Sequence, residues 1–316
     1  MKQRPPSLPA GTRLDRYRID RTLGGGGFSV VYLASDIESG EVVIVKEYIP
    51  SRLATRREDH GVVPKDEEAA GRFNRGRMLF FQEASALATL KHPNIVNVLS
   101  FFRANGTVYM VMEYQDGKNL QAYLTARGGS LSEKFLRTVF PQLLDGLVLI
   151  HSRDLLHLDI KPGNIHIRPG GDPLLLDFGA VHGFPQSRQS QPGQVISPGF
   201  SPIEQYEVNG YVGPWTDIYA FGATMRACIE GKPPLTAKER HARDTLKSAR
   251  NTFRKRYSDS LLAAIDWAME VDPMLRPQSA AAFREALLAE DPPGEETVEP
   301  PSTLERFVGS LPWGKG

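Results

Sequence analysis

The chain has one cysteine, Cys228, among 316 residues. A lone cysteine excludes an internal disulfide framework and makes a reducing cytoplasm the expected setting. Cys228 sits in the apolar run DIYAFGATMRACIEG and reads as a small core residue. There is no stretch of eighteen uncharged apolar residues, so no segment is expected to cross a membrane. Charge excess is also missing: 38 basic and 37 acidic side chains leave a formal net charge of +1. A nucleic-acid binder would carry a strong basic excess, so no nucleic-acid partner is expected. No internal repeat is present. The opening MKQRPPSLPAG lacks the apolar core of a signal peptide, and residues 1–15 are expected to form a mobile tail. Residues 289–316 carry too many prolines and carboxylates to bury a core, and read as a tail or linker. What remains is ordinary: 41% apolar and 24% charged residues, as in soluble globular proteins, with length for one large domain or two smaller ones.

Residues 16–49 give three strand-like runs, RYRIDRTL, FSVVYLASD and EVVIVKEYI, with the turn ESG between two of them. They predict an antiparallel meander. Residues 50–75 are charged and aperiodic; EDHGVVP suggests a small hairpin within a surface insertion. From Arg77 to Leu90, the spacing of Phe80, Ala84, Leu87 and Ala88 predicts a helix. NIVNVLSFF and TVYMVMEYQ predict two further strands joined at ANG. After residue 115 the pattern turns helical. A helix over 132–152 has Ser132 at its N-cap and Pro141 inside, where a kink or interruption is expected. WTDIYAFGATMRACIEG, SLLAAIDWAMEV and SAAAFREALLAE are further apolar helices. The expected class is therefore α+β, a small β-rich lobe followed by a larger helical one, separating near Tyr114.

Several short motifs carry possible chemistry. LGGGGFSVVY holds Gly24, Gly25, Gly26 and Gly27, which permit a tight turn whose N–H groups can approach phosphate oxygens. Alone, such a run is more often only a flexible turn. Lys46 ends the strand VVIVK, where a lone lysine is usually solvated. Glu83 shares a helix face with Leu87 at i, i+4 and is a candidate counter-ion for Lys46, or simply solvates that helix. HLDIKPGNI contains His157, Asp159, Lys161 and Asn164, and Asp177 follows thirteen residues later in LLLDFGA. Any one aspartate could be a turn or cap residue. All of them in this order and spacing argue for a phosphate- and cation-handling site.

The combination resembles the eukaryotic-type (Hanks-type) serine/threonine protein kinases over residues 16–288, with a small lobe at 16–114 and a large lobe at 115–288. SPGFSPIEQ resembles the end of the family's activation segment, with Glu204 as its glutamate. Asp217 of WTDIYAFG resembles the aspartate that braces the catalytic loop, and Arg276 of DPMLRP the partner of that glutamate. The wording of KEYIPSRLATR and GPWTDIYAFGATM is similar to bacterial members, including those associated with type VI secretion. The resemblance implies a two-lobed kinase fold and use of ATP with Mg²⁺, Mn²⁺ being the alternative cation. It implies Asp159 as catalytic base, Lys161 on the transferring phosphoryl group, and Lys46 paired with Glu83. Asn164 and Asp177 would hold the metal. Leu23, the four glycines, Val31, Ile44, Lys46, Met112 (as gatekeeper), Glu113, Tyr114 and His166 would surround the nucleotide. Ser187, Ser190 and Ser197 lie in the activation segment, and protein Ser/Thr hydroxyls are the implied acceptors.

Four positions depart from the family pattern. Ser29 replaces the third loop glycine at slight expected effect. Ile44 stands where alanine is usual and should narrow the adenine pocket, and His166 replaces the aliphatic residue beneath the ring. Leu158 replaces the arginine that precedes the catalytic aspartate, which touches control rather than chemistry. Since every charge needed for transfer is present, an active kinase is expected, with a pseudokinase scaffold and a small-molecule phosphotransferase as the alternatives. His157 is expected to pack against Phe178. The remaining histidines, His60, His92, His151, His182 and His241, show no metal-ligand spacing and read as structural or surface residues.

Overall fold

The computed structural model describes residues 7–176, 182–183, 196–207 and 210–291. The amino-terminal strands are β1 (Arg13–Leu14), β2 (Tyr17–Gly25), β3 (Ser29–Asp36) and β4 (Val42–Tyr48). A short hairpin follows, β5 (Ala54–Arg56) and β6 (Val62–Pro64), then helix α1 (Glu67–Ala88), β7 (Val98–Ala104) and β8 (Thr107–Glu113). Six of these strands form one antiparallel sheet in the order β1-β2-β3-β4-β8-β7. Strand alternation gives β4 two distinct faces. Ile44, Lys46 and Tyr48 point one way, where Tyr48 stacks on Phe73 of α1 at 5.7 Å and meets Phe80 at a tilt at 5.8 Å. Val43, Val45 and Glu47 point the other way, in register with the buried Tyr32 and Tyr109.

Three local expectations are corrected here. Described residues of the expected mobile tail are packed: Leu8 and Leu14 are buried, the Leu8 amide donates to the Tyr32 hydroxyl at 3.1 Å, and β1 pairs with β2. Helix α1 begins ten residues before Arg77, because Asp66 caps it by accepting from the Ala69 amide and because Ala69 and Phe73 bury in its first turns. The 50–75 insertion is accordingly half hairpin and half helix, with Ala54 and Val62 in the core.

The second lobe contains β9 (Lys118–Asn119), α2 (Leu120–Ala126) and α3 (Glu133–His151), followed by β10 (Leu155–Leu156), β11 (Ile165–Ile167), β12 (Pro173–Leu175) and β13 (His182–Gly183). Helices α4 (Pro214–Glu230), α5 (Ala237–Ala242), α6 (Ala249–Phe253), α7 (Asp259–Ala268) and α8 (Ala280–Leu288) complete it. Ser132 caps α3 through the Phe135 amide, and Pro141 does not interrupt the helix. An interior proline costs ~3 kcal/mol, but α3 buries Leu136, Phe140, Leu143, Leu144, Leu147 and Ile150 completely, and that burial outweighs one lost backbone bond. Helix α4 is buried along nearly its whole length, Cys228 included, and burial pushes that thiol's pKa up. The lobes join where the Val96 amide donates to Leu175 O (3.0 Å) and Asn94 Nδ2 to Pro173 O (2.8 Å), fixing β12 beneath the sheet.

Candidate active site

The segment 157–164 is held from below by Asp217, the fourth residue of α4, which is fully buried. Its Oδ2 accepts from the His157 amide at 2.9 Å and its Oδ1 from the Leu158 amide at 2.7 Å. His151, at the end of α3, brings Nε2 to 2.9 Å from the same carboxylate. Burial alone would raise the Asp217 pKa; the His151 hydrogen bond and charge, with help from His157, hold it below its ordinary value. His151 therefore supports the 157–164 loop through Asp217, a role its sequence position did not disclose. Leu158 takes a left-handed φ of 60° so that its amide can reach Asp217 while its carbonyl accepts from Gln205 Nε2 at 2.9 Å. Its side chain is buried with Leu156 and Val212 in a small apolar cluster.

His157 is locked at both ring nitrogens. Nδ1 accepts from the Asp159 amide at 3.3 Å, which leaves Nε2 as the donor to Leu176 O at 3.1 Å. Its expected contact, Phe178, lies outside the described residues. Asp159 is only 7% exposed, and both its oxygens are engaged. Lys161 Nζ reaches Oδ1 and Oδ2 at 2.9 and 2.8 Å, Ser197 Oγ donates to Oδ1 at 2.7 Å, and Asn164 Nδ2 donates to Oδ2 at 2.8 Å. Asn164 Nδ2 also reaches the Asp159 carbonyl at 2.8 Å, so its amide oxygen is turned away from Asp159. The structure thus gathers Asp159, Lys161, Asn164 and Ser197 around one carboxylate. Asp177, Ser187 and Ser190 lie outside the described residues; Leu176, the residue before Asp177, donates its amide to Asn164 O at 2.8 Å.

Lys46 is buried, with its ammonium 5.6 Å from the centroid of Phe80. Glu83, one helical turn beyond Phe80, is also buried, so both lie at the interface of β4 and α1. Ile44 shares the Lys46 face and pairs in register with Met112 and Leu33. Val31 is the register partner of Lys46 and of Gly24. Leu23 and Tyr114 are exposed at 42% and 43%, and Glu113 donates its amide to Asn97 O at 3.0 Å. Open space surrounds Gly24, Gly26 and Gly27, and the loop folds back where the Gly26 amide meets Ser29 O at 2.9 Å. His166 Nε2 lies 3.1 Å from Asp116 O, against Gly117. Gly117 has φ +134°, and a Cβ there would fall 2.2 Å from Ile167 O, so only glycine fits this approach to the connecting strand.

The segment after Ser197 is anchored by an ion pair. Arg276 Nη1 reaches Glu204 Oε1 at 2.7 Å, Thr216 Oγ1 donates to the same oxygen at 3.0 Å, and the guanidinium stacks 4.7 Å from the Tyr219 centroid. Among the described residues, no helix is long and apolar enough to cross a membrane, and no cluster of three His, Cys, Asp or Glu side chains forms a metal site.

The protein kinase domain family model matches residues 17–288. Serine/threonine-protein kinase PknA of Nostoc is 32% identical over 285 residues, covering 86% of this chain and 47% of that protein. Serine/threonine-protein kinase D of Synechocystis is 31% identical, covering 92% of this chain and 55% of its own. The chain thus spans about half the length of these curated relatives. The solved apo form of PpkA-294 superposes with a TM-score of 0.78 at 35% identity, covering 89% of this chain and 99% of that one.

Proposed function

The chain belongs to the Hanks-type serine/threonine protein kinases, and from that membership we propose that it transfers the ATP γ-phosphoryl group to serine or threonine hydroxyls of proteins. The observation that carries the reading is the carboxylate of Asp159, buried yet held by Lys161, Asn164 and Ser197. A carboxylate in this setting accepts the proton of an incoming hydroxyl while its orientation is fixed. All its bonding directions are used, so a substrate hydroxyl takes the place of one donor. Lys161 is the donor that can move, because its side chain is 28% exposed, and on leaving it carries its charge toward the phosphoryl group. Ser197 keeps Asp159 oriented through the exchange. Lys46, on the face shared with Ile44, binds nucleotide phosphates, and Glu83 orients it.

The Asn164 amide oxygen, turned away from Asp159, fits an oxygen ligand for Mg²⁺, with Asp177 as its companion. The cation supplies charge neutralisation at the phosphates when bound. The adenine lies between the β4–β8 face carrying Ile44 and Met112 and the strand carrying His166, with Leu23, Val31, Glu113 and Tyr114 at its margins.

Leu158 bears on control. Where arginine would offer a cation for an activation-segment phosphate, this chain has an apolar side chain sealed against Leu156 and Val212. We therefore read the enzyme as active without phosphorylation of that segment. The deciding experiment is Asp159→Asn. It should keep Mg-ATP binding and lower kcat on a generic protein substrate at least ~10²-fold, the lower bound for losing a positioned base. Undiminished transfer by that variant would sink the assignment.

A further inference from the structure

Glu47 follows Lys46 directly but points to the opposite face of β4, where its carboxylate is completely buried. Oε1 accepts from the Tyr109 hydroxyl at 2.6 Å and Oε2 from the Tyr32 hydroxyl at 2.7 Å. Its counter-charge is Arg56, the last residue of β5, whose side chain is 4% exposed and whose Nη2 bonds Oε2. Arg56 Nη1 donates to His60 O at 2.9 Å, closing the loop of its own hairpin. Burial and the Glu47 charge push both tyrosine hydroxyls well above the usual phenol pKa, which keeps them protonated donors.

This network sits at one end of a mechanical path. The hairpin starts on the Glu47 face of the sheet, and only Lys65 and Asp66 separate its second strand from α1, which packs on the Lys46 face. Lys65 donates its amide to Leu53 O at 3.0 Å, tying that link to the hairpin's base. The hairpin and the helix also grip one turn: the Val62 amide donates to Asn105 O at 2.7 Å and Arg77 to Gly106 O at 2.8 Å. The chain thus straps around the end of β4, from the face carrying Glu47 to the helix bearing Phe80 and Glu83.

We infer that Arg56 is a positioning residue, clamping the hairpin to Glu47 so that α1 holds Glu83 and Phe80 in register with Lys46. The inference rests on the proposed kinase function, since that reading makes Lys46 the phosphate ligand. The test compares thermal midpoint, Mg-ATP affinity by calorimetry and kcat/KM in the parent, Arg56→Met, Arg56→Lys and Glu47→Gln/Arg56→Met. Arg56→Met strands a buried carboxylate and should lower midpoint and affinity together. Arg56→Lys restores the charge and should recover most of the affinity. The double variant removes both charges, so its midpoint should recover. Its Mg-ATP affinity should stay weakened by roughly tenfold or more, because a methionine side chain cannot bond the His60 carbonyl and α1 is no longer held in place. Tyr109→Phe serves as the control: it removes one bond to the buried carboxylate and should lower the midpoint, but it leaves Arg56 on Glu47 and His60 and should weaken affinity by no more than roughly threefold. A double variant that regains the parent's affinity with its midpoint, or a Tyr109→Phe variant that loses as much affinity as Arg56→Met, would overturn the inference by showing that affinity follows stability and not the clamp. Protein phosphorylation by the parent is scored separately. An Arg56-dependent affinity in a parent that transfers nothing counts against the kinase reading and for the clamp.

Discussion

Ser197 Oγ donates to Asp159 Oδ1 at 2.7 Å while accepting from Lys161 Nζ at 2.9 Å. One hydroxyl therefore sits between the proposed base and the proposed phosphate-binding cation, tying the segment around Ser197 to the 157–164 loop. The contact needs a hydroxyl and not a phosphate, because an anion here would face Asp159 directly.

Ser197→Ala is accordingly expected to lower kcat by about tenfold or more, the equivalent of one hydrogen bond to a charged group at ~1.5–3 kcal/mol. Ser197→Thr keeps the hydroxyl and should retain most of the activity. Steady-state rates on a fixed protein substrate decide it: equal losses in both variants would show that packing, and not the hydroxyl, matters at 197.

A second expectation concerns acid stability. The Asp217 pKa lies below its unfolded value of ~3.9, despite complete burial, through His151 and the catalytic-loop amides. A depressed carboxylate contributes stability that is fully present above the unfolded pKa and lost as pH falls through the folded one. His151→Leu removes one of the bonds and should cost ~1.5–3 kcal/mol at neutral pH. The gap between parent and variant should be widest above about pH 4 and close as pH falls below it. Urea titrations at a series of pH values measure this. A gap constant down to strong acid would assign the cost of His151→Leu to lost packing alone.

The β-lobe strands were legible because apolar alternation marks them, and the α-lobe helices because their apolar faces recur at helical spacing. The start of α1 was not, since residues 67–76 are mostly charged or small and only Phe73 and Ala69 bury. Packing of the amino-terminal segment was hidden by its prolines; Leu8 is held by Tyr32, whose hydroxyl is available only once β3 and β4 pair. The motif spacing disclosed Asp159, Lys161 and Asn164 because they are neighbours in sequence. The links from His151 to Asp217 and from Arg56 to Glu47 join residues whose proximity exists only in the fold, and a histidine or arginine alone gives no such signal.

The proposed nucleotide pocket yields a third expectation. Ile44 lies on the Lys46 face opposite Met112, and its branched side chain reaches well beyond an alanine methyl. Ile44→Ala should let the enzyme use purine-ring-substituted ATP analogues that the parent rejects, with ATP itself still accepted. Matching analogue profiles in the two proteins would place Ile44 away from the base.

The last expectation follows from Leu158. Its backbone is fully committed, with the amide on Asp217 and the carbonyl on Gln205, and its left-handed φ of 60° is held by both bonds. Its side chain fills an apolar cluster with Leu156 and Val212, each no more than 2% exposed. The described side chains of this cluster carry no charge that would attract a phosphate or need one. Asp217 and Gln205 thus brace the 157–164 loop without any phosphate. Phosphatase-treated enzyme should show full activity from the first turnover, and a Ser187→Ala, Ser190→Ala double variant should match it. Leu158→Arg should destabilise the fold by an amount on the order of several kcal/mol, because it forces a cation among apolar side chains. It should not create dependence on phosphorylation, because the loop is already held through its backbone by Asp217 and Gln205. Progress curves of the dephosphorylated parent settle the matter. A long lag that shortens after preincubation with Mg-ATP would mean that another basic residue has assumed the missing arginine's part, with Arg188 and the 52–57 cluster the first to substitute.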